Sequence, residues 1–408
     1  MKILIISHYY PPEPGAPQAR ISEMAKVWKN SGCEVTVFTC FPNHPTGIIP
    51  DKYKGNIMAK ENIDGILVIR HWVYATVNKG VVKKTLSHLS FMFSVVILSL
   101  FRNHKPDLIV VTSPTFFSVI SAYLFSIVRR VPFIFEVRDL WPGIFVELNV
   151  LKNRLLIRVL EAIEFFLYRK SIKVVTVTKG FKVNIESRGI KKDKIDVITN
   201  GVDLDRFFPG DKNEELLKRF NINVDSFIVL YAGAHGISHA LSSVLQAALI
   251  CGNKHKNIHF LFVGEGAEKE KLIAMKNELK LTNVTFQGAI TKDLMKDLYC
   301  SADVCLVPLK NIPGFKTFIP SKMFEIMACQ KPIIASLSGE SQMILENSKG
   351  AIITPSEDYQ ALSNAILELY DNPERMKEMG ENGASFVKQN YDRENLAKEY
   401  LKIMKSIA

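Results

Sequence analysis

The stretch PSKMFEIMA places a lysine and a glutamate three residues apart at the predicted start of a helix. Pro320 and Ser321 form a helix-start signal, which predicts an N-cap at Ser321 and a helix over 322–330. Free N–H groups at such a start, with the Lys322 ammonium beside them, suit a phosphate. Glu325 lies on the same helix face and could accept hydrogen bonds from the two hydroxyls of a ribose. A capped surface helix with an ordinary Lys–Glu pair is the alternative interpretation.

Two glycine-bearing strand ends in the same half of the chain are suited to close approach of a phosphate. YAGAHGISHA places Gly233, His235 and Gly236 between a predicted strand and a predicted helix, where the backbone can come near a diphosphate. FVGEGAEKEKL gives the next strand a Gly264-x-Gly266 ending of the same kind. Plain tight turns would show the same pattern. The full GxGxxG pattern is absent from both halves, which argues against a nicotinamide or flavin enzyme.

Asp203 and Asp205 form the pattern DxD, which many metal-dependent sugar transferases use to hold a divalent ion on a nucleotide diphosphate. Here the pattern lies in VITNGVDLDRFFP, followed by Arg206 and two phenylalanines. Two carboxylates at this spacing on a turn are more often solvated or N-capping groups, so we expect no metal site. The six cysteines are scattered, without a CxxC pair or a nearby histidine at metal-ligand spacing. We expect them to be free thiols.

The hydrophobic pattern alternates strands and helices almost throughout, which supplies the framework for these residues. In the first half, apolar runs predict helices over 20–31, 116–129 and 151–170 between strands at KILIIS, EVTVFTC, ILVIRHW, DLIVVTS, FIFEVRD and KVVTVT. After Asn200 the pattern restarts with strands at FIVLYAGA, IHFLFVGEG, VTFQGAI, DVCLVPL, PIIASLS and GAIITP. Continuous apolar strands between helices are typical of parallel sheets that helices cover on both faces.

The pattern therefore predicts an α/β protein of two doubly wound, Rossmann-like domains that face each other across a cleft. The predicted first domain covers 1–200 and the second covers 201–391, and we expect the last helix, about 392–408, to pack back on the first domain. Ligands bind outside the carboxyl ends of such strands. The loop SHYYPPEPGAPQAR, residues 7–20, follows the first strand and is long for a strand-to-helix connection. Its prolines indicate a stiff loop at the wall of the cleft.

Charge is divided unevenly along the 408 residues. Residues 1–200 hold 28 Lys and Arg against 15 Asp and Glu, a net charge of +13, while the remainder has a net charge of −2. Nucleic acid is not the expected partner, because no helix-turn-helix, RNA-binding aromatic signature or zinc-finger spacing accompanies the charge. An anionic membrane surface is the expected partner of the basic half. The content of hydrophobic residues, 47%, excludes a disordered chain.

Five stretches resemble those of one enzyme family over essentially the whole chain: SHYYPPEPGAPQAR, FPNHPTG, FEVRDLWPG, NGVD and PSKMFEIMA. The chain resembles the retaining GT-B glycosyltransferases of family 4 and, within them, the bacterial O-antigen and capsule enzymes of the WbuB type. The resemblance implies transfer of a sugar from a nucleotide diphosphate, usually UDP, with retention at the anomeric carbon and without a metal or other cofactor. It also implies an N-acetylated hexosamine such as N-acetylfucosamine as the sugar and a saccharide linked to polyprenyl diphosphate as the acceptor.

The resemblance assigns donor binding to both predicted domains. In the family, the glycine loop after the first strand faces the donor phosphates and sugar, which implies this role for Gly15 and a place over the cleft for Arg20. Glu325 takes the ribose. The chain departs from the family where Thr317 replaces the earlier of two glutamates eight residues apart, and where GAHGISHA lacks the usual Arg and Lys. The remaining donor-binding residues are then expected to be Gly236, Lys316, Ser321 and Lys322.

The resemblance places acceptor and sugar binding in the first domain. The strand end FEVRDLWPG approaches the donor sugar in the family, so Asp139 is the expected catalytic residue, which orients sugar hydroxyls or helps to take the acceptor proton. Arg20, His44 and Arg138 are the expected acceptor and sugar contacts. A buried Asp–Arg pair without chemistry is the alternative for Arg138 and Asp139. No protein nucleophile is needed, because the leaving phosphate oxygen can accept the acceptor's proton in a front-face attack.

A second class of enzyme with the same two-domain architecture stays open. An isomerase similar to UDP-N-acetylglucosamine 2-epimerases needs carboxylates near the sugar, and Glu13, Asp139 and Glu147 are available. The basic, apolar first half argues against it, since such an enzyme meets only a soluble sugar nucleotide. A two-lobed binding protein is the third interpretation, but the apolar start MKILII is too short for the export signal that such a protein would carry.

The uncharged stretch LSHLSFMFSVVILSLF, residues 86–101, bears on where the protein acts. It is shorter than the about 20 apolar residues of a membrane-spanning helix. A crossover helix buried against the sheet is one interpretation, and a helix lying partly in the membrane interface is the other. Basic side chains would add attraction to anionic lipid: Lys83, Lys84, Arg102, Arg129, Arg130, Lys152, Arg154 and Arg158. We expect a peripheral protein on the cytoplasmic face of the cell membrane, where a lipid-linked acceptor reaches the first domain.

Overall fold

A computed structural model describes residues 1–13, 15–44, 46–76, 81–100, 105–113, 115–147 and 151–407. The chain divides into two compact units: unit 1 comprises Met1–Asn200 with Arg393–Ala408, and unit 2 comprises Gly201–Asp392. Some residues used in the sequence analysis lie outside the described ones. They are Pro14, Pro45, Phe101, Arg102 and the side chain of Glu147.

Unit 1 is built on one eight-stranded sheet. Its strands are β1 (Lys2–Ile6), β2 (Glu34–Cys40), β3 (Met58–Ile63), β4 (Ile66–His71), β5 (Leu108–Thr112), β6 (Phe133–Val137), β7 (Lys173–Thr176) and β8 (Ile195–Val197). They lie in the order β3-β4-β2-β1-β5-β6-β7-β8, and all neighbours are parallel except the pair β3–β4 at the edge. The sequence pattern does not predict β3 or β8, because β3 buries none of its side chains and β8 has only three residues.

Helices cover both faces of this sheet. They are α1 (Ala16–Asn30), α2 (Val81–Leu100), α3 (Phe116–Arg129), α4 (Gly143–Glu147), α5 (Arg154–Lys170) and α6 (Lys179–Ser187). Phe91 of α2, Phe125 of α3 and Leu167 of α5 pack into one buried cluster with Ile109 of β5. On the opposite face, Trp28 of α1 packs with the other alternate residues of the strands. The continuous apolar strands are therefore buried on both sides, as their pattern predicts.

Unit 2 is built on a six-stranded parallel sheet in a Rossmann arrangement. Its strands are β9 (Phe227–Ala232), β10 (Ile258–Val263), β11 (Val284–Gln287), β12 (Val304–Pro308), β13 (Ile333–Ser336) and β14 (Ala351–Thr354). Its helices are α7 (Glu214–Arg219), α8 (Leu241–Lys254), α9 (Lys269–Glu278), α10 (Met295–Ser301), α11 (Lys322–Ala328), α12 (Glu340–Ser348), α13 (Tyr359–Tyr370) and α14 (Pro373–Asn390). The strand order is β11-β10-β9-β12-β13-β14.

In each unit the strand order reverses next to the first strand. The reversal falls between β9 and β12 in unit 2 and between β1 and β5 in unit 1. At such a switch point the connections on either side leave in opposite directions, which opens a crevice at the carboxyl ends of the two strands. The residues that follow these four strands are therefore the first place to look for a ligand site.

The last helix, α15 (Arg393–Lys405), belongs to unit 1 and packs on α1. The Trp28 indole N–H donates to the Ala397 carbonyl at 2.9 Å, and its ring meets the Tyr400 ring edge to face at 5.3 Å. Arg393 forms an ion pair with Glu23. The large buried aromatic pair and the buried ion pair hold this segment on unit 1 although unit 2 precedes it in the chain.

Helix α2, which contains most of the uncharged stretch, has two different faces. Phe91 and Val95 are fully buried against the sheet. Phe93 and Ile97, on the other side, are 56% and 55% exposed. The helix is therefore a crossover helix packed against the sheet, and its other face presents apolar side chains to the outside. Among the described residues, no helix is both long and apolar enough to cross a membrane.

Candidate active site

The carboxyl ends of β9 and β10 are joined by two close backbone contacts that require glycine. The Gly233 N–H donates to the Val263 carbonyl at 2.9 Å, and a Cβ on Gly264 would lie 1.9 Å from the Gly233 carbonyl oxygen. A Cβ on Gly266 would lie 2.4 Å from the His235 carbonyl oxygen. Gly233 and Gly264 also have φ values of 146° and 145°, which favour glycine. The two turns are thus locked together and fix the backbone of His235.

Lys322 reaches these turns from the start of α11. Its Nζ atom lies 4.2 Å from the centroid of the Tyr231 ring and 2.6 Å from the position that a Cβ would take on Gly233. The Nζ atom is buried and has no hydrogen-bond partner. Burial lowers the pKa of Lys322 to about 8, although the nearby Glu325 opposes this shift. An aromatic face attracts a cation, but it leaves the N–H groups of the ammonium without oxygen acceptors.

Two histidines stand beside this lysine. His235 is fully buried, and neither of its ring nitrogens has a hydrogen-bond partner; Nδ1 of the half-buried His239 has none either. Both ring centroids lie 5.9 Å from that of Tyr231. Burial, and then the charge of Lys269, lowers the pKa of His235 to about 4, and burial, and then the charge of Lys322, lowers the pKa of His239 to about 3. We call Tyr231, His235, His239 and Lys322 the donor cluster.

The donor cluster lies at the switch point between β9 and β12. The Lys310 N–H, just after β12, donates to the Ser238 carbonyl in the turn after β9 at 2.9 Å. His239 interacts with the Pro308 carbonyl at the end of β12. These two contacts join the connections that leave β9 and β12, so the cluster occupies the crevice that the strand order creates.

Glu325 lies one turn along α11 from Lys322. Its Oε2 atom accepts a hydrogen bond from the Tyr299 hydroxyl at 3.2 Å. Burial raises the pKa of Glu325, and the charges of Lys292 and Lys322 oppose this rise. The carboxyl group is half-buried and therefore available to hydrogen-bond donors from a ligand. The structure thus places a carboxylate within electrostatic reach of the donor cluster.

Ser321 differs from its sequence prediction. It occupies the N-cap position of α11, but its hydroxyl makes no capping hydrogen bond. Its backbone is already helical, with φ −61° and ψ −28°, whereas a side-chain cap normally needs an extended residue at this position. The predicted helix over 322–330 is also too long, since α11 ends at Ala328. A helix of seven residues offers less at its N-terminus than the prediction assumed, and the charge of Lys322 becomes the main feature there.

Lys316 and Gly236 flank the donor cluster less closely. The Lys316 side chain is exposed on the short helix Pro313–Thr317, and its carbonyl oxygen would lie 2.1 Å from a Cβ on Gly339. The structure therefore fixes the backbone of Lys316, and it does not bring the ammonium group into contact with the donor cluster. A Cβ on Gly236 would meet only ordinary contacts at 3.9 Å. The fold therefore does not itself require glycine at position 236.

In unit 1 the structure contradicts the sugar-binding role predicted for Arg20. The residue is 2% exposed, and its guanidinium pairs with the fully buried Glu136 at 3.3 Å. Its five N–H groups meet the Glu136 carboxylate, the carbonyls of Ile198 and Thr199 and the Asn200 side chain. No donor is left for a ligand. Arg20 instead ties the last segment of the 1–200 region to α1 and β6.

Arg138 and Asp139 follow β6 and are both half-buried. The Arg138 N–H donates to Ser113 Oγ at 2.8 Å, but its Nε and Nη1 atoms are buried without hydrogen-bond partners. Burial lowers the pKa of Arg138 to about 10 and raises the pKa of Asp139 to about 6, although Arg138 opposes the latter shift. The Nε and Nη1 atoms of Arg138 therefore have hydrogen-bonding capacity that the chain itself does not use, and the choice between a reactive and a purely structural Arg138–Asp139 pair stays a prediction.

Gly15 is the N-cap of α1 and closes the proline-rich loop after β1. Its φ is 137°, and a Cβ would lie 3.0 Å from Gln18 Nε2, which donates to the Glu13 carbonyl at 2.8 Å. The buried Arg70 holds the middle of the loop by donating to the Pro11 carbonyl at 2.5 Å. The loop is thus held at two points, and Gly15 is exposed.

His44 is positioned by Glu13, a residue to which the sequence analysis gave no role in a transferase. Glu13 Oε1 accepts the N–H groups of Asn43 and His44 at 2.8 and 2.9 Å. Its Oε2 is buried without a partner. Burial raises the pKa of Glu13 and lowers the pKa of His44. The carboxylate therefore ties the loop after β1 to the loop after β2.

The DxD pattern forms a turn. Asp203 Oδ1 accepts the Asp205 N–H at 3.1 Å, and the Asp203 carbonyl accepts the Phe207 N–H at 2.9 Å. Within the described ranges, no group of three or more His, Cys, Asp or Glu side chains is arranged to hold a metal ion. The six cysteines are buried free thiols.

The sequence analysis named His235 only for the approach of its backbone to a diphosphate, and it did not name His239 as a candidate site residue. Their signal was visible, since they are the basic side chains of GAHGISHA, the stretch that lacks the Arg and Lys usual in the resembling family. Burial without hydrogen-bond partners is what marks them, and only the folded chain reveals it. Buried polar atoms without hydrogen-bond partners therefore lie beyond the carboxyl ends of strands in both Rossmann-like units.

Comparisons with known proteins identify the class. Residues 18–206 match the family model described as Glycosyltransferase Family 4, and residues 212–386 match the model Glycosyl transferases group 1. An alpha-galactosylglucosyldiacylglycerol synthase of Streptococcus pneumoniae is 26% identical over 58% of this chain and 62% of that protein, less than two thirds of its length. The uncharacterized glycosyltransferase MJ1069 of Methanocaldococcus jannaschii is 21% identical over 100% of this chain and 99% of that protein.

Solved structures share the fold over the full chain. HepE of Anabaena, in complex with UDP and glucose, has a TM-score of 0.74 at 18% identity and covers 100% of both chains. Sucrose-phosphate synthase of Thermosynechococcus elongatus has a TM-score of 0.73 at 19% identity and covers 100% of this chain and 98% of that one. The chain belongs to the group 1/family 4 glycosyltransferases of the GT-B fold, with two Rossmann-like α/β domains, and is a transferase enzyme.

Proposed function

We propose that this glycosyltransferase transfers a sugar from a UDP-sugar to a saccharide carried on a lipid diphosphate. The observation that carries the proposal is the donor cluster, in which four buried nitrogen atoms of Lys322, His235 and His239 have no hydrogen-bond partner. An unpaired buried polar group costs about 1–3 kcal/mol, so native proteins seldom keep several together without a ligand. A diphosphate supplies oxygen acceptors for the Lys322 ammonium and for the N–H groups of the two histidines.

The charges of the cluster suit a leaving diphosphate. The lowered pKa values of Lys322, His235 and His239 result first from burial, and for the two histidines positive neighbours lower them further. A bound diphosphate brings negative charge, which raises these pKa values and favours the charged forms. Positive charge would then be greatest where negative charge develops on the leaving group, which stabilises the transition state. Lys322 and the histidines would supply the charge that a metal ion supplies in other transferases, and we propose transfer without a metal or other cofactor.

UDP is the proposed nucleotide, and Glu325 is the proposed ribose ligand. The carboxylate lies one turn from Lys322, so the same helix can contact the ribose and the diphosphate. HepE, whose fold this chain shares, was solved with UDP and with UDP-glucose. This supports a uridine nucleotide, and the resemblance to O-antigen and capsule enzymes supports an N-acetylated hexosamine such as N-acetylfucosamine as the sugar.

The remaining site residues are proposed by their chemistry. Asp139, with a pKa raised to about 6, is mostly ionised at neutral pH and can orient the hydroxyls of the transferred sugar. The unpaired Nε and Nη1 atoms of Arg138 and the ring of His44 suit the acceptor. Gly15, Ser321, Lys316 and Gly236 are the other proposed donor-binding residues. The acceptor hydroxyl attacks the anomeric carbon on the face from which the diphosphate leaves, which gives retention without a protein nucleophile, and the leaving phosphate oxygen takes the acceptor's proton.

A surface of unit 1 supports attachment to an anionic membrane. Helices α3 and α5 pack side by side, with the Tyr123 and Phe166 rings 5.1 Å apart. Spacings of three, four and eleven residues place exposed apolar side chains on one face of each helix. They are Leu124, Ile127 and Val128 on α3, and Leu155, Val159 and Phe166 on α5.

Basic side chains border this apolar surface. Arg130, Arg154, Arg158, Arg169 and Lys170 are exposed at the ends and flanks of the two helices. Apolar side chains that enter the interface and cations that meet anionic headgroups are the two requirements for a peripheral helix surface. We propose that the protein works on the cytoplasmic face of the cell membrane, where surface-polysaccharide precursors on lipid diphosphates are extended. Nucleic acid is not among its proposed partners.

The donor is tested by thermal unfolding with UDP, GDP, TDP and CMP sugars, since a ligand that binds the native state raises its stability. The largest shift is expected with a UDP-sugar, and EDTA should leave both the shift and the turnover unchanged. Incubation with UDP-N-acetylglucosamine alone separates the transferase from a 2-epimerase-like isomerase. Prompt formation of the 2-epimer without an acceptor would favour the isomerase.

Membrane attachment is tested by sedimentation with vesicles of phosphatidylglycerol and phosphatidylcholine. Leu155→Glu with Val159→Glu should reduce co-sedimentation, and added salt should reduce it for the wild type. Val183→Glu is the matched control, because Val183 is a 63% exposed valine on α6 of the same unit. An equal loss of co-sedimentation in Val183→Glu would contradict the proposed membrane attachment. A wild type that does not bind the vesicles at low salt would contradict it as well.

A further inference from the structure

A second group of basic side chains lies in unit 1, at the carboxyl ends of β1 and β2. His8 follows β1, His44 follows β2, and Lys84 and His88 lie one turn apart on α2. The ring centroids of His8 and His88 are 4.8 Å apart, and Tyr9 lies between His8, at 4.8 Å, and His44, at 5.4 Å. Lys84 acts electrostatically on all three histidines. We call His8, His44, Lys84 and His88 the unit 1 basic cluster.

The cluster includes a buried polar atom without a partner. His8 is 2% exposed, and its Nδ1 atom makes no hydrogen bond. Burial, and then the charges of His88 and Lys84, hold the pKa of His8 well below its ordinary value. Burial, and then the charge of Lys84, lowers the pKa of His88 to about 4. Burial lowers the pKa of Lys84 as well. The free protein thus has one amine beside three imidazole rings whose pKa values are lowered, and each group opposes protonation of the others.

The acidic groups that face the cluster do not neutralise it. Glu13 uses one carboxylate oxygen to accept the N–H groups of Asn43 and His44, which fixes the His44 loop. Burial raises the pKa of Glu13 and that of the Tyr9 hydroxyl, so both resist carrying negative charge. In the part of the chain that the structure describes, Lys84 has no carboxylate partner. A group of N–H donors and one cation without a counter-ion is a site for an anion.

We infer that the unit 1 basic cluster binds the diphosphate of the lipid-linked acceptor, an inference that rests on the proposed function. Phosphate oxygens accept hydrogen bonds from several N–H groups at once, and their charge replaces the mutual repulsion of these groups with attraction. The phosphate contacts the exposed Lys84 and the half-buried His44 and His88, with His8 behind them. The outer face of α2 carries the exposed Leu86, so the lipid chain meets apolar surface about one helix diameter away, roughly 10 Å.

The test uses the full chain and isothermal titration calorimetry with three probes: farnesyl diphosphate, inorganic pyrophosphate and farnesol. Lys84→Gln and His88→Gln are each expected to lower the affinity for farnesyl diphosphate at least tenfold and to leave the affinity for farnesol unchanged. Lys83→Gln, an exposed neighbour on the same helix, is the matched control and should change the affinity less than twofold. Titrations at pH 7.5 in two phosphate-free buffers of different ionisation enthalpy should show net proton uptake, because the bound anion favours protonated histidines.

Further arms separate the sources of phosphate and the two sites. Farnesyl diphosphate should bind more tightly than pyrophosphate, and equal affinities would overturn a lipid-linked ligand. UDP affinity should be unchanged in Lys84→Gln and His88→Gln, and an equal loss for UDP would assign the cluster to the donor and overturn the inference. Farnesyl diphosphate affinity that is insensitive to both variants would also overturn it. A wild type that binds farnesyl diphosphate through these residues but does not bind UDP would contradict the proposed function alone.

Discussion

The Nζ atom of Lys322 lies 4.2 Å from the centroid of the Tyr231 ring and has no hydrogen-bond acceptor. The ring is held in place because the Tyr231 hydroxyl donates to the Ala234 carbonyl at 2.7 Å. A fixed aromatic face offsets part of the cost of burying the ammonium, but it satisfies none of its N–H groups. The fold thus positions the Lys322 ammonium and leaves its N–H groups available to a ligand.

Lys322→Met removes this charge and keeps an unbranched apolar stem. We expect the Kd for UDP to rise by roughly 10- to 100-fold, because a hydrogen bond to a charged group contributes about 1.5–3 kcal/mol, while uridine binding stays within about twofold. Calorimetric titration measures both. Lys256→Met, at an exposed position before β10, is the control and should behave as the wild type. Unchanged UDP affinity in Lys322→Met would exclude Lys322 as the phosphate ligand.

UDP affinity should depend on pH through the same residue. In the free protein the pKa of Lys322 is about 8, and a bound diphosphate raises it. Above pH 8 the free protein has lost a proton that the complex retains, so binding must recover it and the Kd increases with pH. We expect weaker UDP binding at pH 9 than at pH 7 in the wild type. In Lys322→Met this part of the pH dependence should disappear; a variant that keeps it would assign the effect to another group.

Glu325→Ala should weaken UDP by about 1–3 kcal/mol, because ribose hydroxyls lose their acceptor. The loss should be smaller for 2′-deoxy-UDP, so the preference for UDP over its deoxy analogue should shrink in the variant. Competition binding measures this preference. Tyr299→Phe removes the hydroxyl that donates a hydrogen bond to Glu325. It tests whether loss of that contact alone weakens UDP binding. A deoxy preference that survives in Glu325→Ala would place the ribose elsewhere.

Asp139→Asn should abolish transfer while UDP still binds. Burial raises the pKa of Asp139 to about 6 from its ordinary 3.8. Between these two pH values the folded state keeps a proton on Asp139 that the unfolded state has already released. The stability that this bound proton contributes is lost as the pH rises through about 6. At pH 7.5 the wild type carries a buried charge that asparagine lacks, so we expect a Tm no lower than that of the wild type. A large drop in Tm would indicate a structural ion pair with Arg138.

Arg20→Met should destabilise the protein rather than impair sugar binding selectively. Removing one partner of a buried ion pair typically costs about 3–5 kcal/mol, because the other charge stays buried. Here the residue left without its partner is Glu136, which is fully buried, with 0% of its surface exposed. Urea unfolding measures the loss, and Glu136→Gln in the Arg20→Met background should recover part of it. A stable Arg20→Met enzyme with lost turnover would restore the sugar-binding role.

The fold follows closely from the sequence because its signals are local. Every apolar run predicted as a strand forms one, from KILII at β1 to AIIT at β14. The helix over 116–129 has the predicted bounds, since α3 begins after Thr115 and ends at the left-handed Arg130. Strands β3 and β8 escaped prediction because one is exposed on an edge and the other is short. Their pairing comes from neighbours that are distant in the chain.

The candidate site divides in the same way. Spacing along one helix is local, so the sequence by itself determined that Lys322 and Glu325 share a face of α11, and the restarting strand pattern determined two α/β units. Pairing between distant residues is not local. Only the tertiary structure decided that the N–H groups of Arg20 all bind Glu136 and groups near residue 199. It also decided that His235 and His239 lie beside Lys322 with buried ring nitrogens that have no hydrogen-bond partner. Burial and hydrogen-bond satisfaction depend on which distant groups the fold brings together, and no pattern along the chain records them.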